Sequence, residues 1–67
     1  MKVKANDNFS DVFGADDMLK HWPEITSTGV EVREIRGLYY IIENGKVVHD
    51  SAFFSQDELD NCLTILD

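Results

Sequence analysis

Apolar and polar positions change their period several times along this chain, and each change predicts an element. Over residues 9–22 the apolar side chains Phe9, Val12, Phe13, Met18, Leu19 and Trp22 include steps of three and four, as one face of a helix requires. Gly14 interrupts the spacing, so the helix is firmest over Ala15–His21. There Asp16 and Asp17 at the start and Lys20 and His21 at the end suit the helix dipole. Pro23 pushes Trp22 out of the helical region and ends the element. Thr26, Ser27, Thr28 and Gly29 then form a turn-prone connection.

Residues 30–50 are rich in β-branched and aromatic side chains and predict three strands, over 30–35, 38–43 and 46–50. Asn44-Gly45 supplies the two positive φ angles of a type I′ hairpin, which sets a register. Glu43 then faces Lys46, Ile42 faces Val47, Ile41 faces Val48, Tyr40 faces His49 and Tyr39 faces Asp50. Arg36-Gly37 is a weaker turn signal that completes a meander. After Phe53 and Phe54, placed in the seam between sheet and helix, Ser55-Gln56-Asp57-Glu58 reads as a capping box. Leu59, Cys62, Leu63 and Leu66 follow on one helical face, with Asp57, Asp60, Thr64 and Asp67 on the other.

The predicted fold class is therefore α+β: an N-terminal helix, a three-stranded antiparallel β-meander and a C-terminal amphipathic helix packed on the sheet. It forms one domain over residues 1–67, with residues 1–8 as a loose N-terminal arm. Both sheet faces are apolar in this reading. Val30, Val32, Tyr39, Ile41 and Val48 lie on one, Ile35, Leu38, Tyr40, Ile42 and Val47 on the other. The C-terminal helix covers one face; the 9–22 segment is the favoured cover for the second, with a second copy of the chain as the main rival.

Composition narrows the function classes. A chain of 67 residues buries only about 60% of its unfolded surface, enough for one thin core. Hydrophobic residues at 43% and charged residues at 28% describe an ordinary folded domain. The single cysteine forms no internal disulfide, and no stretch resembles a signal peptide or approaches the roughly 18 apolar residues of a membrane span. The expected compartment is the cytoplasm, and no membrane partner is expected. Charge is the distinctive property, with 13 acidic against 6 basic residues and a net charge of -7. No Lys or Arg follows Lys46, whereas Asp50, Asp57, Glu58, Asp60 and Asp67 do. Such a surface repels phosphate backbones and attracts basic protein surfaces, so direct binding of duplex nucleic acid is not expected.

The chemistry-bearing residues do not assemble into a catalytic motif. His49-Asp50-Ser51 has the residue types of a triad, but consecutive residues of a strand point to opposite faces. His21, His49 and Cys62 fall on three elements without metal-ligand spacing, and the four glycines are isolated from one another. No cofactor, no metal and no enzymatic activity are expected. A three-stranded sheet followed by a helix occurs in some DNA-reading domains, yet Arg33, Arg36 and Lys46 are opposed here by Glu31, Glu34, Glu43 and Asp50. Protein recognition is the leading reading. Its candidate contact residues are Asp57, Asp60 and Asp67 on the outer stripe of the last helix, Asp50, Asp16 and Asp17, and Tyr40 on the exposed sheet. A small, acidic, stand-alone binder of this kind resembles in class the phage-encoded inhibitors of host defence, such as anti-CRISPR proteins. A structural subunit or homodimer using the second sheet face is the alternative, and a sheet-reading nucleic-acid binder the third reading.

Overall fold

The computed structural model describes residues Met1–Asp67 and is an α+β fold of two helices on one antiparallel sheet. In chain order the elements are β1 (Lys2–Ala5), α1 (Ala15–His21), β2 (Val30–Ile35), β3 (Leu38–Glu43), β4 (Lys46–Val47), β5 (Phe53–Phe54), α2 (Gln56–Cys62) and β6 (Leu63–Ile65). Single 3-10 turns at Phe9–Asp11 and Pro23–Thr26 flank α1. No helix is long and apolar enough to cross a membrane.

The sheet has six strands where a three-stranded meander was expected. Five lie side by side in the order β4-β3-β2-β1-β6, and β5 takes the rest of the β3 edge that β4 leaves open. Residues 1–8 are no loose arm. Val3 pairs with Val30 on one side and Ile65 on the other, and its side chain is wholly buried. Lys2-Val3-Lys4-Ala5 alternates polar and apolar positions, which is a strand pattern only four residues long. Its stability comes from the two neighbours that supply its ladder.

Both central hairpins are two-residue turns with left-handed φ at both positions, 54° and 85° at Arg36 and Gly37, 53° and 78° at Asn44 and Gly45. Glu43 faces Lys46 and Ile42 faces Val47, as the Asn-Gly turn requires. The Val48 N–H still donates to the Ile41 carbonyl at 3.3 Å, as an Ile41–Val48 pair requires, and only beyond it does the expected register fail. The chain leaves the β3 edge, bulges over residues 48–52 and returns as β5, so that Tyr39 faces Phe54 and Tyr40 faces Phe53. Two large rings bury more surface beside β3 than His49 and Asp50 could.

The C-terminal helix is also shorter than its apolar spacing implies. Its capping box is complete, with Ser55 Oγ accepting from the Glu58 N–H at 3.1 Å and Glu58 Oε1 accepting from the Ser55 N–H at 2.9 Å. After Cys62 the backbone turns extended at Leu63 (φ -129°, ψ 155°) and joins β1 as β6. The β-branched pair Thr64 and Ile65 suits that strand. Leu66 consequently leaves the expected helical face and is 45% exposed.

Strand pairing assigns the two sheet faces. Val3, Val30, Val32, Ile41, Phe54 and Leu63 face one way and share a single core with Phe9, Met18, Trp22 and Ile25 from the first half of the chain and Leu59 and Cys62 from α2. The N-terminal segment and α2 thus cover the same face, contrary to the expectation of one on each. Five strands spaced about 4.8 Å apart span roughly 19 Å, close to two helix widths of about 10 Å. Widening the sheet with β1 and β6 therefore requires both helical segments on one side. The other face, carrying Ile35, Leu38, Tyr40, Ile42, Val47 and Phe53, has no helix over it, and apart from the buried Ile42 these side chains are partly exposed.

Candidate functional site: an acidic helix side with an aromatic cleft

The helix layer positions most of the expected contact residues. Asp16 and Asp17 lie exposed in the first turn of α1, whose buried face is Ala15 and Met18. Asp57 and Asp60 lie exposed on α2, opposite the buried Leu59 and Cys62. Asp50 is exposed in the bulge between β4 and β5. Asp67 is elsewhere. It lies past the end of β6, and its Oδ1 accepts from the Lys2 N–H at 2.9 Å, which holds its carboxyl below the ordinary value. The expected helical stripe through Asp67 does not form, because α2 stops at Cys62. Tyr40 is on the uncovered sheet face, its ring 5.4 Å from that of Phe53 and away from the helix layer.

The carboxylates of the helix layer differ in how far they are used by the fold. Glu58 is committed: beyond its capping role, its Oε2 accepts from the Phe13 N–H at 3.2 Å and ties α2 to the turn before α1. Asp60 accepts from Gln56 Nε2 at 3.0 Å, and Gln56 Oε1 accepts in turn from the Tyr39 hydroxyl at 2.8 Å. Asp16, Asp17, Asp50 and Asp57 have no such partner. No Lys or Arg side chain forms an ion pair anywhere in the molecule; the one ion pair joins Glu31 to the amino terminus. Cys62 is buried against this layer. Burial, then the neighbouring Asp11 and Glu58 carboxylates, push its thiol above the ordinary value, which keeps it protonated and unreactive at neutral pH.

A cleft of about 280 Å³ opens beside α1, lined chiefly by Phe13, Asp17, Met18, His21, Trp22 and His49. Three rings form one wall: His21 and Trp22 have centroids 5.7 Å apart, and His49 lies 6.3 Å from each of them. Trp22 Nε1 donates to Glu43 Oε1 at 2.9 Å, which fixes the indole. Phe13 stands at the rim and is 93% exposed. It follows Val12 in a turn closed by the Ala15 N–H to the Val12 carbonyl at 3.1 Å, with Gly14 supplying φ 76°.

Two sequence expectations change here. Phe13 is not on the buried helical face with Phe9 and Val12, because the 3-10 turn ends at Asp11 and Gly14 starts α1 in a new direction. His49 is not beside Tyr40, because β4 has already ended. The polar run His49-Asp50-Ser51 after two valines was the available signal for that end. Although the strand argument against a triad no longer applies there, no hydrogen bond joins these three side chains; the backbone carbonyl of His49 instead accepts from Ala52. No three His, Cys, Asp or Glu side chains converge closely enough to hold a metal ion. Compared with known proteins, the chain gives no significant match to a family model, a curated protein or a solved structure.

Proposed function

We propose that this protein is a non-enzymatic binding module, an inhibitor or adaptor whose acidic helix side meets a basic surface on a larger protein or complex, of the type that ordinarily holds nucleic acid. The observation that carries this reading is unpaired carboxylate charge on the helix side, where the two helices hold Asp16, Asp17, Asp57, Glu58 and Asp60 against a single Lys or Arg, Lys20. Asp16, Asp17, Asp50 and Asp57 are exposed without ion-pair partners, while Lys2, Lys4 and Arg33 alternate with core residues and so face the opposite side of the sheet. In duplex DNA charges recur about every 1.7 Å along the axis, so a few carboxylates on a rigid layer suffice to compete for a phosphate-binding groove. The same side repels duplex nucleic acid.

Reversing Asp57→Lys together with Asp60→Lys tests the reading. A partner captured from cell lysate at low salt should associate more slowly with the double variant, and the difference should shrink as salt rises. Nucleic acid that the partner binds should compete with the wild-type protein. An unchanged association rate, with the melting temperature unchanged, rejects the acidic side as the contact surface. A second reading has its own observation, since Ile35, Leu38, Tyr40, Val47 and Phe53 form an uncovered apolar face. On that reading the chain is a homodimer or structural subunit, and sedimentation that stays monomeric across a wide concentration range removes the homodimer.

A further inference from the structure

We infer that the cleft beside α1 receives the side chain of one arginine from a protein partner. The inference rests on the acidic helix side as a contact surface and names the anchor within it. Size comes first. At about 280 Å³ the cleft is just below the roughly 300–1,000 Å³ of pockets that enclose small-molecule ligands, and it suits a single side chain.

The lining then selects the chemistry. It contains one carboxylate, Asp17, and neither Lys nor Arg. Asp17 has no ion-pair partner within the protein, so a cation entering the cleft finds an acceptor that nothing else occupies. The exposed His21 and His49 rings, packed on the largely buried Trp22, supply ring surface, and Phe13 at the rim supplies more. A planar guanidinium stacks on such rings while its N–H fork engages a carboxylate, a combination a compact ammonium cannot reproduce as fully. Prior order favours binding as well. The indole is held by Glu43 and the Phe13 backbone by Glu58, so the cleft wall and the rim turn are ordered beforehand and the Phe13 ring is what orders on binding. Phe13 itself is 93% exposed, and only an incoming group at the cleft can cover it.

Trp22 is the sole tryptophan, so its fluorescence reports on the cleft directly. Titration with N-acetyl-arginine amide should give a saturable change in the millimolar range. N-acetyl-norvaline amide, of similar stem but uncharged, should give none. Asp17→Asn should weaken arginine binding roughly 10-fold and Phe13→Ala roughly 3-fold. Both positions are exposed, and a matching melting temperature verifies the fold. Glu31→Gln, the same charge change on the opposite side of the sheet, should leave binding unchanged. Equal binding of the norvaline amide, equal weakening by Glu31→Gln, or no saturable response to the arginine amide overturns the inference. Because the probe is a free amide, these results are independent of the Asp57 and Asp60 reversal, which tests the wider surface.

Discussion

Replacing Val3 with Ala tests the central architectural finding, that the first residues are an interior strand. Val3 is 0% exposed and paired on both sides. Two buried carbons are removed, worth about 0.8 kcal/mol each in transfer free energy. A residual void of roughly 40 Å³ at about 24 cal/mol per Å³ adds about 1 kcal/mol, giving a loss near 2.5 kcal/mol. A domain of this length has a total stability of roughly 3–10 kcal/mol, so a quarter or more of it disappears. In urea, with a slope of about 1 kcal/mol per M for so small a protein, the midpoint should fall by about 2.5 M. Trp22 fluorescence and far-ultraviolet circular dichroism follow the transition. Lys2→Ala is the internal control, since Lys2 is on the same strand, exposed, and directed to the other face. A Val3→Ala loss below about 0.5 kcal/mol, or one equal to that of Lys2→Ala, would return residues 1–8 to a loose arm and refute the sheet order.

Gly29→Ala should cost more than about 2 kcal/mol, because the added Cβ lands 2.6 Å from the Val3 carbonyl oxygen at a backbone φ of +88°. Gly45→Ala has a comparable φ of +78° but open space around it and should cost about 1 kcal/mol; equal melting temperatures for the two variants would deny the close approach of β1. The Asp67 carboxyl, lowered by the Lys2 N–H, contributes stability fully present above the ordinary carboxylate value near 3.9 and lost as pH falls through the lower folded value. The melting-temperature gap between wild type and Asp67→Asn should therefore be constant from about pH 5 to 8 and close on acidification below about pH 4; a gap that widens there contradicts the latch between β6 and β1.

Local chemistry determined what the sequence alone could determine. The Asn44-Gly45 and Arg36-Gly37 dipeptides placed both hairpins, because only left-handed backbone closes a two-residue turn of the right twist. Ser55 and Glu58 placed the start of α2 through hydrogen bonds confined to four residues. The helix Ala15–His21, its stop before Pro23 and the acidic balance were legible for the same reason. Tertiary structure decided the rest, where short segments draw their stability from distant neighbours. Residues 2–5 become a strand only between β2 and β6, and residues 63–65 leave a helical spacing only because β1 offers an edge. The bulge that detaches His49 from β3 exists because Phe53 and Phe54 bury better there, which brings His49 to His21 and Trp22. The aromatic cleft, with Phe13 at its rim and Asp17 in its wall, is thus assembled from residues 13–22 and 49–52. No periodicity within either segment could have revealed that meeting.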